Sequence, residues 1–229
     1  MNIDKKEIKK FDDISYSWWD PEGPFKPLHM LNPVRTDFIK NRIDLKDKTL
    51  IDVGCGGGLL CENLAEHSKK VKGIDMSNEA IKIAKTHQSL KNLKIDYEEI
   101  ALESLLKKSK IKYDVLTCME LVEHVPDPEK LIKDCVKITN RKADLFFSTL
   151  NRNLISYIIA IIGAEYILSI LPKGTHKYEK FIKPSEFYKV LRSNDLIVED
   201  IKGISFNLLT NKFFESNNTD INYILHCKK

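Results

Sequence analysis

From residue 48 the chain alternates short apolar runs with stretches of helical spacing, an order that few folds accept. "KTLIDVG" is an apolar run stopped by glycine, and "LLCENLAEH" follows with helical spacing. "KVKGID" predicts a second strand and "SNEAIKIAKTHQ" a helix capped by Ser77. "LKIDYEE" and "YDVLTCM" predict two more strands. "DPEKLIKDCVKIT" predicts a helix opened by Asp127–Pro128, and "ADLFFSTL" a fifth strand. Strands alternating with helices over this length point to an α/β fold with a doubly wound, mostly parallel sheet. Further on, "KPSEFYKVLRSN" predicts a helix, and "LIVEDIKGI" and "DINYILHCK" complete an expected seven strands.

A chain of 229 residues buries one large core, with room for an insertion. The expected division is an N-terminal helical cap (1–45), a ligand-binding core (46–150), an apolar insertion (151–183) and the remainder of the sheet (184–229). Within the cap, residues 4–20 read as a charged helix ending at Trp18–Trp19. "DPEGPFKPLHMLNP" reads as irregular because of Pro21, Pro24, Pro27 and Pro33, and a helix is expected from about Val34 to Arg42 with Pro33 in its first turn.

Composition excludes several classes. With 42% hydrophobic and 31% charged residues the chain is not generally disordered, and a formal net charge of +4 falls below that of a dedicated nucleic-acid binder. Cys55, Cys61, Cys118, Cys135 and Cys227 are odd in number and contain no C-x-x-C pair, so neither a disulfide framework nor a zinc knuckle is expected. A reducing cytosol suits them, and the opening residues show no apolar signal segment, so a cytoplasmic location is the expectation.

The sharpest chemistry sits in "LIDVGCGGGLL". Gly54, Gly56, Gly57 and Gly58 follow a strand and precede a helix, where glycines permit positive φ and close approach of a ligand. A dinucleotide dehydrogenase wants G-x-G-x-x-G, but here the third position is Leu59. The G-x-G-x-G spacing instead resembles the S-adenosylmethionine (SAM) loop of class I methyltransferases. Asp75 closes the next strand and is placed to accept ribose hydroxyls, a position that suits NAD equally. Asp52, on the first strand, is placed to hold an ordered water or an ammonium group.

"CMELVEHVPDP" sets Glu120, Glu123 and His124 at i, i+3 and i+4, which share a face in a helical turn. Pro126 keeps that turn short. Two carboxylates and an imidazole are suitable donors for Mg²⁺, Mn²⁺ or Zn²⁺, while His124 alone could act as a metal-free general base. Both mechanisms are open at this level.

Further motifs, "SWWDPEGPFKPLHMLNPVR", "FFSTLNRN", "GAEYIL", "PKGTHKYEKFIKP" and "NYILH", run in order over nearly the whole chain from about Phe11. Together with the two motifs above they resemble the ubiquinone-biosynthesis O-methyltransferases, which methylate phenolic hydroxyls of polyprenylated precursors at two steps. The resemblance implies a class I methyltransferase fold and SAM as cofactor. At matching positions it implies SAM contacts from Arg35, Gly54, Gly56, Asp75 and Met119, with Arg35 as a clamp for the methionine carboxylate. It implies metal contacts from Glu120, Glu123 and His124. Its partners would be a polyprenyl phenol or catechol and no nucleic acid, and a larger biosynthetic protein complex is left open. "TNRKADLFF" departs from the Gly-Gly turn of many class I methyltransferases, which is expected to alter turn chemistry rather than activity.

One stretch remains. "LISYIIAIIGAEYILSIL", Leu154 to Leu171, approaches the ~20 apolar residues that span a bilayer. Ser156, Gly163, Glu165 and Ser169 interrupt it, and spanning would put strands of one sheet on opposite sides of the membrane. The expected reading is an element lying on the inner face of an anionic membrane, with Ile158, Ile159 and Ile162 dipping in and Lys173, Lys177, Lys180 and Lys183 meeting headgroups. His176 reads as a solvated loop histidine near the entrance. The rival readings are a methyltransferase for another hydrophobic phenol and a non-catalytic, membrane-associated SAM or lipid sensor.

Overall fold

Each run of the alternation becomes a strand, and most of these strands are covered on both faces. The computed structural model describes residues 2–158 and 178–229. Strands β1 (Thr49–Val53), β2 (Lys70–Asp75), β3 (Ile95–Glu99), β4 (Tyr113–Met119) and β5 (Thr139–Leu150) pair in parallel. The antiparallel strands β6 (Ile197–Asn207), β7 (Lys212–Ser216) and β8 (Asn222–Lys228) complete the order β3-β2-β1-β4-β5-β8-β6-β7.

Strand periodicity divides the core in two. Leu50, Val115 and Phe146 point to one face, where Phe38, Ile39, Cys61 and Leu64 of helices α2 (Lys26–Lys40) and α3 (Leu59–Ala65) join them. Their neighbours Ile51, Leu116 and Phe147 point to the other. There they meet Leu105 of α5 (Leu102–Lys108), Ile132 of α6 (Pro128–Ile138) and Leu191 of α8 (Pro184–Ser193). Every second residue therefore serves a different layer, as a pleated strand requires. Helix α4 (Asn78–Leu90) is capped by Ser77, whose side chain accepts from Ala80 N. Because β1 lies between β2 and β4, the crossovers diverge on either side of it and open a crevice at the carboxyl ends.

Two expectations need correction. Among the described residues the sheet has eight strands, because "KFFES" forms β7 as the return of a hairpin from β6. The segment between β3 and β4 contains the short helix α5. In the cap, α1 (Lys5–Ile14) gives way to a 3₁₀ turn before the tryptophans, and α2 begins at Lys26, so Pro33 lies inside it. Proline forfeits one intrahelical hydrogen bond and crowds the preceding turn. Burial of Arg35, Thr36, Phe38 and Ile39, with Asn32 Nδ2 donating to Leu59 O at 2.9 Å, outweighs that cost. The departure at "TNRKADLFF" places Lys142 at φ 63° in β5, a left-handed conformation where glycine would be unstrained.

Of the apolar stretch, only Leu154–Ile158 lies within the described residues. α7 (Leu154–Ser156) opens it with a capping box from Asn153, and Leu154, Ile155 and Ile158 are exposed. Ile159, Ile162, Lys173, His176 and Lys177 lie outside the described residues. No helix among the described residues is long and apolar enough to cross a membrane.

Candidate active site

The loop after β1 is held by its neighbour strand before any ligand enters. Gly54 N and Cys55 N both donate to Ile74 O, at 2.8 and 3.0 Å, and Gly56 N donates to Asp75 Oδ2 at 2.9 Å. Gly56 has φ 51°, and a Cβ there would sit 2.1 Å from the Trp18 ring; at Gly57 it would sit 2.3 Å from the same ring. Sequence reasoning assigned these glycines to close approach of a ligand. At Gly56 and Gly57 the close neighbour is a side chain of the cap. Trp18 is buried and lies against Phe25, while Trp19 Nε1 donates to Gly57 O at 3.0 Å. The paired tryptophans thus fasten the cap to the loop.

Asp75 continues the same corner. Its Oδ1 accepts from Ser77 N at 2.8 Å. Burial pushes the Asp75 pKa up, against the backbone N–H groups of Ser77, Gly56 and Met76. Ser77 Oγ also bonds to Asp12 of α1, a second tie between cap and core.

Deeper in the crevice three charged groups stand close to the sheet edge. Asp52 accepts from Thr117 Oγ1 at 2.6 Å and from Cys61 Sγ at 3.4 Å, and burial raises its pKa to about 6. Arg35 is buried on α2, with Nη2 3.1 Å from Glu120 Oε1. Its Nε and Nη2 atoms have no hydrogen-bond partner among the described residues. A buried Nε left open, beside an Nη2 met only by the Glu120 ion pair, is costly unless something with acceptor oxygens takes it. Glu120 has φ 52° and is pinned by Ser148, which accepts from its N–H and donates to its carboxylate at 2.9 Å.

Arg35, Asp52, Gly54, Gly56, Asp75, Met119, Glu120 and His124 all line one cavity of about 970 Å³. Glu123 does not line it. Its Oε2 accepts from Thr149 Oγ1 at 2.8 Å, its Oε1 is buried without a hydrogen bond, and burial, with Glu120 beside it, pushes its pKa well up. His124 turns Nδ1 to Glu7 Oε2 of α1 at 3.2 Å and meets Phe11 edge to face. That contact is the largest cause holding Glu7 down to about 2, against burial, with Lys10 assisting. The expected Glu120–Glu123–His124 metal set is therefore not assembled. Glu120 faces Arg35, Glu123 faces Thr149 and His124 faces Glu7. Among the described residues no group of three His, Cys, Asp or Glu side chains is placed to hold a metal ion. As arranged, these residues do not fit a metal held by all three.

The residues fit SAM better. Arg35 offers a guanidinium with an unmet Nε donor suited to a carboxylate, Asp52 and Asp75 offer carboxylates suited to an ammonium group and ribose hydroxyls, and the loop between them is open to the cavity. Sequence reasoning missed Glu7 and Asp12, which a charged surface helix does not single out. It also missed the hairpin residues Phe206, Leu208 and Phe213 at the far end of the cavity.

Residues 28–200 match the family model described as a methyltransferase domain. The chain is 48% identical over 228 residues to the ubiquinone biosynthesis O-methyltransferase of Paraburkholderia phymatum, covering 100% of this chain and 98% of that one. It is 47% identical to the protein of the same name from Burkholderia vietnamiensis, with the same coverage. Among solved structures, magnesium protoporphyrin IX methyltransferase from Synechocystis with bound SAH superposes with a TM-score of 0.70 at 17% identity, over 96% of this chain and 94% of that one. The plantazolicin methyltransferase BpumL in complex with SAH gives 0.62 at 18% identity, over 98% of each chain. Those structural likenesses speak to the fold, whereas the close relatives fix the lineage. With its glycine loop, its buried Arg35 and this end-to-end identity, the chain belongs to the ubiquinone biosynthesis O-methyltransferases, SAM-dependent enzymes of the methyltransferase-domain family.

Proposed function

We propose that this enzyme methylates phenolic hydroxyls of polyprenylated ubiquinone precursors, at both O-methylation steps. The observation that carries the reading is one cavity with a charged end at Arg35, Asp52 and Asp75, His124 along its wall, and an apolar end at Phe206, Leu208 and Phe213. Bound SAM supplies an electrophilic sulfonium methyl. Arg35 binds the methionine carboxylate, Asp75 takes the ribose hydroxyls, and Gly54, Gly56 and Met119 shape the wall between. His124 acts as the general base. A free phenol of pKa ~10 is a weak nucleophile at neutral pH, so removing its proton as it attacks lowers the barrier. Glu7 holds Nδ1 of that ring and so fixes its orientation in the cavity wall. The cap excludes water from the cofactor end through Trp18 and the Ser77–Asp12 contact.

Peripheral contact with an anionic membrane through about 154–183, on the cytoplasmic side, belongs to the same proposal. The exposed Leu154, Ile155 and Ile158 and the basic Lys180 and Lys183 support it. The test is methyl transfer from labelled SAM to a short-chain prenyl catechol, with and without EDTA and added Mg²⁺. The reading predicts transfer that survives EDTA and falls at least ~100-fold in His124→Ala. Transfer that collapses in EDTA and returns with Mg²⁺ would replace the metal-free base with an ion site. No transfer despite tight SAM binding would point to another acceptor or to a sensor.

A further inference from the structure

The two most exposed large apolar side chains among the described residues are adjacent, Leu208 at 86% and Leu209 at 97%, at the tip of the β6–β7 hairpin. Burying leucine side chains is favourable, so a tip that leaves two in water forgoes a sizeable gain. Hairpin tips are ordinarily Gly, Asn, Asp or Ser. This tip is nonetheless specified in detail. Asn207 Oδ1 accepts from Leu209 N at 2.9 Å and from Thr210 N at 3.1 Å, and Asn211 takes φ 53°. The base of the hairpin is fixed as well, since Arg42, just past the end of α2, reaches Asp200 on β6 and Glu215 on β7 while stacking on Phe38. A held turn is displaying two leucines.

Leu208 is at once solvent-exposed and part of the cavity lining, so it stands at the mouth. Phe206, Phe213, Ile204, Ile221 and Leu150 line the same cavity, with Asn211 and Asn222 among them. A largely apolar wall therefore leads from the hairpin tip toward the charged end. Its occupant must be long, apolar and attached to the group that reacts.

We infer that the β6–β7 hairpin is the port for the isoprenoid tail of the substrate, with Phe206, Leu208 and Phe213 forming its wall and Leu209 extending it outward. This rests on the polyprenyl phenol reading above and adds residues that set selectivity for tail length. The reacting ring sits by His124, and the tail leaves past the hairpin.

The test compares two prenyl catechols, with one and with several isoprene units, dispersed in the same neutral detergent so that no bilayer is present. Wild type is expected to favour the longer tail. In the double variant Leu208→Ser, Leu209→Ser the long-to-short ratio of kcat/KM should fall on the order of tenfold, through KM rather than kcat. Both leucines are exposed, so the fold does not depend on them. Leu90→Ser, at an exposed leucine ending α4 and off the cavity lining, should leave the ratio where wild type has it. An unchanged ratio in the double variant, or equal losses on both catechols, overturns the inference. So does an unchanged ratio accompanied by lost sedimentation with anionic vesicles, which would make the tip a lipid-docking element instead. If wild type binds SAM and methylates neither catechol, the functional reading itself fails and takes the port with it. Transfer without tail selectivity defeats the port alone.

Discussion

The two ends of the cavity are built on opposite terms. At the cofactor end, charged groups are buried or half-buried and held by the sheet edge: Asp52 by Thr117, Asp75 by two backbone N–H groups, Glu120 by Ser148. At the hairpin end, apolar groups are exposed and held by a turn and an arginine clasp. Burying charge and exposing leucine both cost stability in the free protein. Each cost marks where the missing partner goes: a polar ligand inside, an apolar one at the rim.

The largest expected effect breaks the cofactor end alone. Arg35→Ala should raise the Kd for SAM by roughly 100-fold, the loss of a charge-assisted bidentate contact, while leaving the preference between long and short tails intact. Calorimetric titration with SAM checks it. If SAM affinity is unmoved, the open donor of Arg35 serves some other group.

Asp52→Asn sharpens the same end. Asp52 has a folded pKa of about 6, above the ordinary carboxyl value of 3.8, so the folded state holds the proton more tightly than the unfolded one. In the free protein its contribution to stability is then most favourable below about pH 4 and is lost as pH rises through 6. The variant should be more stable than wild type at pH 8, by on the order of 1–2 kcal/mol, and the gain should vanish near pH 4. SAM affinity should fall at the same time. Denaturant melts at the two pH values test the sign, and a gain that is constant with pH would show that ionisation of Asp52 is not its source.

The smallest effect belongs to the hairpin. Arg42→Ala removes two partly exposed ion pairs and should cost about 1 kcal/mol in stability. Limited proteolysis between Asn207 and Lys212 should quicken, with the Kd for SAM unchanged. Equal weakening of SAM binding would mean that the two ends are mechanically one.

The same contrast explains what could be read from the residues alone. The glycine loop and the aspartate that ends the next strand follow from local spacing, so this part of the cofactor end could be proposed from the residues, whereas Arg35 came only with the family resemblance. The parallel strands were legible, because their short apolar runs alternate with stretches of helical spacing. The hairpin was not, because "FNLLTNKFF" mixes apolar residues with Asn, Thr and Lys and carries no Gly or Pro to mark a turn. Helix α2 was misjudged because Pro33 argues locally for a boundary, and the packing that overrides it comes from α3 and the sheet. Likewise the partner of His124 lies over a hundred residues away on α1, a pairing that no local spacing reveals.

The position of β8 has a consequence for how the sheet is assembled. It follows every other strand in the chain yet lies between β5 and β6, pairing with Leu145 and Phe146 on one side and Val198 and Ile201 on the other. During synthesis the five parallel strands can assemble in order while β6 and β7 wait as a detached hairpin. The β5 edge stays open until the last strand emerges and slots in as a keystone. Only then does the apolar end of the cavity meet the polar end. The cofactor corner can thus form early from local crossovers, whereas a complete site depends on contacts distant in sequence, the kind that form slowly.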